Sequence, residues 1–300
     1  MRVIVSGATG LIGRALVAAL RDRGDEAVGL GRGVPHGAGE ARWDPAAGQL
    51  DPAVLEGADA VVHLAGAGIG DRRWSPGRRR EIVASRVDST TLLARTLARL
   101  ERPPEVLVSA SAVGWYGDRG DEELTEDSGP GTGFLAELCR SWEDATAEAA
   151  AAGRRVVRLR SGVVLSARGG ALARQLPLFR LGLGGRLGDG RQWLSWISLD
   201  DEVGAILHAI GDRSLHGAVN ATAPAPVTNR DFTAALGAAL HRPALLPVPR
   251  AALHLALGAE LADEMVLAGQ RVLPRRLLDA GFGFRHPGVH GALGAVLGGG

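Results

Sequence analysis

The chain is predicted to fold as an α/β protein: a doubly wound parallel sheet with a smaller, mostly helical C-terminal lobe. Three observations carry this. Strand-like and helix-like patterns alternate from residue 1 to about 165. The strand-like runs are short and almost wholly apolar, as in sheets covered on both faces. After residue 166 the texture changes to Gly, Leu and Arg, and long elements are broken. Three hundred residues leave room for two ordinary domains, each with its own core. The expected division is a first domain at 1–165, with 195–222 packing back onto it. A second lobe follows at 166–300 and includes a C-terminal segment at 247–297.

The first strand, turn and helix set the pattern. Val3, Ile4 and Val5 form a β-branched run suited to a buried parallel strand, and Leu11, Ile12, Ala15, Leu16, Ala19 and Leu20 recur at helical spacing up to Gly24. Between them stands Gly7-Ala8-Thr9-Gly10-Leu11-Ile12-Gly13. Three glycines so spaced, with a strand before and a helix after, fit a dinucleotide-binding turn and make the sheet Rossmann-type. The first glycine permits the tight turn, the second lets backbone N–H groups approach a pyrophosphate, and the third lets helix and strand pack closely. The positive end of the helix then faces the diphosphate. A second strand, residues 26–32, ends about 20 residues beyond the turn, where an acidic residue would read the ribose of NAD. Gly31-Arg32 stands there instead, and a guanidinium suits the 2′-phosphate of NADP.

Residues 33–57, rich in Gly, Pro and Ala, read as a loop with little regular structure. Residues 58–66 read as a third buried strand that ends in Leu64-Ala65-Gly66, where a ribose and nicotinamide can pass close to backbone. His63, inside that strand, reads as a packed core residue. The arginine-rich run 71–80 reads as the solvated entry to a helix over 81–100, stopped by Pro103-Pro104. The next strand, 105–111, delivers the hydroxyls of Ser109 and Ser111 to the carboxyl edge of the sheet, where catalytic groups sit in open α/β folds. Residues 134–152 read as one helix with Leu135, Leu138, Trp142, Ala145 and Ala149 on one face. Residues 155–165 read as extended chain. Further on, Asp200-Asp201 are expected to cap a helix reaching Ala209. Residues 219–221 read as a strand, 229–240 as a helix, and 251–273 as a helical stretch broken near Gly258 and Gly269; 294–300 are expected to fray.

Charge and composition exclude several classes of function. The 34 basic and 33 acidic residues are interspersed, so no nucleic-acid partner is expected. No apolar run is long enough to span a bilayer, so no membrane partner is expected either. The single cysteine, Cys139, excludes intrachain disulfides, and the chain opens on a strand rather than a signal peptide; the expected compartment is the cytoplasm. A small molecule of unspecified identity is the expected substrate, and the oligomeric state is left open. All the basic residues are arginine and the only tyrosine is Tyr116. A mechanism that needs a lysine ammonium is therefore excluded.

Taken together, these residues resemble the extended short-chain dehydrogenase/reductases, and among them the atypical group of epimerase-family proteins. The carriers are the glycine turn, His63-Leu-Ala-Gly66, Ser109-Ala-Ser-Ala-Val-Gly-Trp-Tyr-Gly117, Arg160-Ser-Gly-Val-Val-Leu165, Phe179-Arg-Leu-Gly-Leu-Gly-Gly185 and Gly269-Gln-Arg-Val-Leu-Pro274. The resemblance spans essentially the whole chain. It implies NADP as cofactor, held by Gly7, Thr9, Gly10, Leu11, Ile12, Gly13, Arg32, Leu64, Ala65, Gly66, Glu81, Arg86, Ser109 and Val163. It also implies that the segment from about Pro247 is the small domain of unknown function that ends these proteins.

Two departures qualify the resemblance. Active members of the superfamily pair a Ser or Thr with Tyr-x-x-x-Lys, in which the lysine lowers the tyrosine pKa. Ser111 fits the hydroxyl position, but Leu135 and Cys139 stand where Tyr and Lys are expected, so Ser111 and Tyr116 are the remaining catalytic candidates. In addition, Gly188-Asp-Gly-Arg-Gln192 is followed by Trp193-Leu-Ser-Trp196 and not by the arginine that grips a sugar nucleotide's diphosphate. The two tryptophans are expected to wall the substrate site. Three readings stay open: an NADP-dependent oxidoreductase with a non-standard centre, a catalytically silent NADPH sensor or scaffold, and a nucleotide-sugar epimerase.

Overall fold

The computed structural model describes residues 1–35, 37 and 39–298. The main sheet has eight strands. In chain order, β1 is Arg2–Ser6, β2 Glu26–Gly31, β3 Glu40–Asp44, β4 Gln49–Leu50, β5 Ala60–His63 and β6 Val106–Ala112. Beyond β6, β7 is Glu123–Leu124, β8 Arg155–Ser161, β9 Val163–Leu165, β10 Trp193–Leu194, β11 Trp196–Ser198, β12 Gly217–Ala221, β13 Val227–Thr228 and β14 Arg271–Val272. The sheet order is β12-β8-β6-β5-β1-β2-β3-β4, parallel except for the β3–β4 edge. The chain builds outward from β1 to β4, then returns to β1's other side at β5. That reversal opens a crevice at the carboxyl ends of β1 and β5.

Helices cover both faces. They are α1 Leu11–Asp22, α2 Pro76–Ala98, α3 Phe134–Asp144, α4 Ala147–Ala151, α5 Gly170–Arg180, α6 Leu199–Gly211, α7 Asn229–Ala239, α8 Arg250–Leu257, α9 Ala259–Leu261, α10 Arg275–Asp279 and α11 Val289–Gly298. Alternation along β1 sorts the two core layers: Val3 and Val5 pack with Leu16 of α1 and Ile206 of α6, whereas Ile4 packs with Leu93 and Leu97 of α2. A third core, with Leu176, Phe179, Trp196, Phe232, Leu236 and Leu293, lies in the lobe built from α5, α7 and α11. After β11, which pairs with β9 in a small two-stranded sheet, α6 packs back on the first core layer and β12 becomes the edge strand of the main sheet.

Several sequence expectations change here. Residues 33–57 carry β3 and β4 around the buried Trp43, whose ring meets His63 edge-on. Glycine and proline in the flanking turns masked this short edge pair. The expected single helix at 134–152 breaks at Ala145–Thr146, because the buried Thr146 hydroxyl donates to Glu143 O at 2.6 Å and accepts from Arg158 Nε. Ser198, and not the Asp200-Asp201 pair, caps α6, while Asp201 accepts from the N–H groups of Arg285 and His286. The stretch 251–273 breaks at Gly258 as expected, between α8 and α9, but beyond α9 it becomes a π-helical turn, Ala262–Leu267, and then β14. The expected fraying of 294–300 is replaced by helix up to Gly298, and Gly299 and Gly300 lie outside the described residues.

The glycine turn is held by close backbone packing. Gly7, at φ +72°, is so near β5 that a Cβ would stand 2.7 Å from the carbonyl carbon of Leu64, and a Cβ on Gly13 would stand 2.1 Å from Gly7 O. Gly10 meets only Gly7 O, at 3.2 Å. Gly13→Ala is therefore expected to lower stability by about 3 kcal/mol, a drop in Tm of roughly 5–10 °C. Gly10→Ala is expected to cost less than about 1 kcal/mol. Thermal melts of the two variants check the contrast, and equal melts refute it.

A buried acid of α6 gives a second test. Glu202 accepts from Ser161 Oγ at 2.6 Å, while its Oε2 is buried without a hydrogen-bond partner. Burial pushes its pKa up from 4.5 to about 7. The unfolded carboxyl thus loses its proton at lower pH than the folded one. The folded state binds more protons in this window, and stability falls as pH rises from about 4.5 to about 7. In Glu202→Gln that fall should disappear, so the variant gains in Tm relative to wild type across the window. Parallel Tm-against-pH curves would count against a buried, proton-binding Glu202.

Candidate functional site

The crevice at β1 and β5 is assembled from the turns that leave the strands. Gly10 N donates to Gly7 O at 2.9 Å, closing the turn, and Gly10 is the extended N-cap of α1 with no side-chain cap. The first turn of α1 thus keeps N–H groups for an anion. Thr9 and Gly10 are exposed here, with Leu11 and Ile12 half-buried behind them. Arg32 lies two residues beyond Leu30, which registers with Ser6, so the arginine stands beside the glycine turn. It is exposed, and among the described residues no carboxylate pairs with it.

The exit of β5 forms the opposite wall. Leu64 N donates to Ser6 O at 3.1 Å, which ties Leu64-Ala65-Gly66 to the end of β1. His63 is a structural strut: Ser6 Oγ lies 2.6 Å from its Nδ1 and Ser89 Oγ 3.1 Å from its Nε2, and burial beside Arg86 pushes its pKa down to about 3, so the ring is neutral. Two side chains of α2 hold the loop that follows. Ser85 accepts from Ala67 N, and Arg78 donates to Gly68 O and pairs with Glu81 at 2.7 Å. Arg78 is buried, a correction to the solvated helix entry expected for 71–80. Glu81 is exposed and held below the usual carboxylate range by Arg78.

Arg86 is the outlier. Its guanidinium is buried, lies 5.0 Å from the Trp142 ring centre and would be 3.1 Å from a Cβ on Gly66. It donates to Ile82 O, but its Nε has no hydrogen-bond partner, and among the described residues no carboxylate balances its charge. Burial lowers its pKa to about 10, still charged at neutral pH. An uncompensated buried cation is costly. One packed against Gly66, at the exit of β5, fits a site whose counter-charge arrives with a ligand. Val163, at the start of β9, lines the chain past β8 and donates from its N–H to Ser195 O at 2.8 Å.

The hydroxyl candidates enter a buried network. Ser109 is buried with only a 3.5 Å contact to Ala110 O. Ser111 Oγ donates to Glu143 Oε1 at 2.7 Å. Arg160 grips the same carboxylate with both arms, Nε to Oε1 at 2.8 Å and Nη2 to Oε2 at 2.9 Å, and its Nη1 donates to the Tyr116 hydroxyl at 3.0 Å. That hydroxyl donates in turn to Asn220 Oδ1 at 2.7 Å, and Asn220 Nδ2 donates to Leu273 O. Tyr116 is fully buried, and burial pushes its pKa up to about 12 despite Arg160. The sequence expectation brought Ser111 and Tyr116 to the same edge. They share the network, 3-10 turn and all, but only through Glu143 and Arg160.

Glu143, Arg160 and Asn220 were not among the sequence candidates. The available signal was Glu143 itself, one helical turn beyond Cys139 on α3, the third member of the series Leu135, Cys139, Glu143. Cys139 is buried and its thiol is pushed up to about 12, so it remains protonated. The tryptophan wall is also corrected. Trp196 is core, with its indole N–H on Ala225 O, and Trp193 is engaged by Asp121 at 2.7 Å and by the Arg271 guanidinium 4.6 Å from its ring centre. No helix among the described residues is long and apolar enough to cross a membrane.

Comparisons with known proteins agree with this architecture. The model of the NAD dependent epimerase/dehydratase family matches residues 3–221, and a domain of unknown function, DUF1731, matches 248–296. An epimerase family protein of Mycobacterium bovis is 47% identical over 292 residues, 97% of this chain and 96% of its own. The crystal structure of human epimerase family protein SDR39U1 with NADPH is similar at a TM-score of 0.89 and 37% identity, covering 99% of both chains. A crystal structure described as a nucleoside-diphosphate sugar epimerase from Corynebacterium glutamicum gives a TM-score of 0.81 at 40% identity, over 99% of this chain and 58% of that one. The chain therefore belongs to the NAD dependent epimerase/dehydratase family, in an extended short-chain dehydrogenase/reductase group, and carries a C-terminal DUF1731 domain.

Proposed function

We propose that the protein binds NADP(H) across the β1–β5 crevice and acts as an oxidoreductase whose proton path centres on Ser111 in place of a Tyr–Lys pair. The observation that carries the cofactor reading is Arg86, a buried guanidinium packed against Gly66 at the exit of β5, with an unpartnered Nε and, among the described residues, no carboxylate. The human relative crystallised with NADPH supports it. In this reading the uncapped N–H groups at Leu11, Ile12 and Gly13 take the diphosphate and Arg32 takes the adenosine 2′-phosphate. The backbone of Leu64, Ala65 and Gly66 runs along the ribose, with Glu81, Ser109 and Val163 nearby. We place the protein in the cytoplasm, where the buried Cys139 stays reduced.

The bound cofactor supplies or accepts a hydride, and the chain's own groups must handle the proton. Ser111, whose hydroxyl rests on Glu143, turns that proton to the substrate oxygen in carbonyl reduction and regains one from water; the reverse direction runs the same protons backwards. Tyr116 has both hydroxyl partners inside the protein and acts as a positioning residue through Arg160. One observation favours a second reading, the silent NADPH sensor: on the helix that carries the pair elsewhere in the superfamily, an aliphatic Leu135 and a protonated Cys139 offer no proton relay. The nucleotide-sugar epimerase reading has less support here, since both tryptophans that follow the Gly188-Asp-Gly turn are held by the protein itself.

Two measurements test these assignments. Calorimetric titration should show NADPH binding about tenfold or more tightly than NADH, a preference lost in Arg32→Ala. Equal wild-type affinities for the two cofactors would overturn the phosphate role of Arg32. Single-turnover oxidation of NADPH by aldehydes, ketones and quinones should fall about 100-fold in Ser111→Ala and stay within about fivefold in Tyr116→Phe. An unchanged rate in Ser111→Ala removes it from the chemistry. Tight NADPH binding with no turnover of any substrate decides for the sensor.

A further inference from the structure

We propose that the tip of the second lobe is a docking surface for an anionic lipid bilayer. Charge segregation points to it first. Residues 166–188 and 232–259 contain no Asp or Glu, although acidic residues make up 33 of the chain's 300, and the two stretches hold six arginines. The fold joins them at one place. Leu246 N donates to Gly184 O at 3.3 Å, Val248 N to Arg186 O at 2.8 Å and Arg242 Nε to Arg180 O at 3.0 Å, so the loop after α5 and the loop before α8 lie side by side.

What these loops present is apolar. Leu178, Leu181, Leu183, Leu245 and Leu246 are all more than half exposed, Leu181 at 72% and Leu245 at 82%. None joins the nearby core, although Phe179 and Leu176 of the same helix do. Among the described residues no carboxylate pairs with Arg180, Arg186 or Arg242, which stand exposed beside the leucines, whereas Arg174, nearer the start of α5, pairs with Asp71 and Arg250, at the start of α8, pairs with Asp263. Clustered exposed leucines ringed by unpaired arginines match the two forces of peripheral membrane binding, apolar insertion and attraction to anionic headgroups. That no helix among the described residues is long and apolar enough to cross a membrane does not bear on this mode of attachment, and the proposal departs from the sequence expectation of no membrane partner. An occupant that was a second copy would have to place like charges face to face, since the same surface repeats across a two-fold axis. The tip lies at the far end of α5, whose start touches Leu11 of the glycine turn: a Cβ on Gly170 would be 3.5 Å from the Leu11 side chain. Eleven residues of helix set the tip roughly 16 Å from the crevice.

The test is flotation of the full-length protein with vesicles of phosphatidylcholine alone or with about one third phosphatidylglycerol, at low and high salt. The expected result is about tenfold more protein on the anionic vesicles at low salt, with the excess lost at high salt. Leu181→Ser with Leu245→Ser should abolish binding, and Arg180→Gln and Arg186→Gln should each weaken it about fivefold. Circular dichroism and NADPH affinity, measured separately, should be unchanged because these side chains are exposed and remote from the crevice. Wild type that binds neither vesicle, or binds both equally, overturns the proposal. It also fails if light scattering finds a wild-type dimer that the two leucine substitutions dissociate while vesicle binding stays absent.

Discussion

The bidentate pairing of Glu143 with Arg160 is the contact on which the rest of the site depends. Each atom of the pair is used: Glu143 Oε1 takes Ser111 Oγ and Arg160 Nε, Oε2 takes Nη2, and Nη1 reaches Tyr116. The guanidinium also lies 4.0 Å from the Trp115 ring centre. A buried ion pair adds little net stability over an apolar pair, but one partner left alone costs about 3–5 kcal/mol. The pair therefore works as a constraint on geometry. It fixes α3 against β6 and β8, and through Tyr116 and Asn220 it reaches the C-terminal segment at Leu273. Glu126 tightens the same joint by accepting from Asn220 N and Arg276 N.

Arg86 shows the opposite treatment of the same side chain. Arg160 and Arg86 are equally buried, yet Arg160's pKa is raised by Glu143 and Tyr116 against the desolvation, whereas Arg86's is lowered to about 10 by desolvation with no carboxylate to offset it. In a low-dielectric setting this difference is large, because a guanidinium does not escape its cost by losing a proton at neutral pH. The fold satisfies one buried arginine with three hydrogen bonds to side chains and leaves the other, packed against Gly66, with no carboxylate among the described residues. In the proposed reading this electrostatic contrast, more than the glycine spacing, supports the crevice as the cofactor site.

The sequence disclosed those parts that depend on local sterics. Gly7 and Gly13 were legible because a tight turn packed against backbone excludes a Cβ wherever it occurs. The buried strands were legible as unbroken β-branched runs. The short strands around Trp43 were not, because an edge pair flanked by glycine and proline has neither alternation nor length to mark it. Glu143 and Arg160 were hidden for a different reason. They are 17 residues apart, on a helix and a strand, and neither residue's neighbours in sequence predict that its charge is buried. Tyr116 was placed at the right edge, but the 3-10 turn at Val113–Tyr116 folds its hydroxyl inward, a step that depends on Asn220 more than 100 residues away.

The missing Tyr–Lys pair is then more than the loss of two residues. A guanidinium cannot replace the lysine by simple exchange, since it holds its protons near neutral pH and binds planar acceptors in fixed directions. The chain has no lysine to offer, and the groups that occupy the region are already engaged: the Cys139 thiol and the Tyr116 phenol are both pushed up to about 12, and the Glu143 carboxylate has Arg160 and Ser111 as partners. Ser111 is the exception, because its hydroxyl can turn its proton from Glu143 to a substrate oxygen. Burial has thus removed the ordinary acid–base repertoire from the helix face and left one neutral oxygen at the carboxyl edge of β6. Any proton transfer at this site must pass through that oxygen or through water, and a chain that does neither has kept the cofactor crevice without the chemistry.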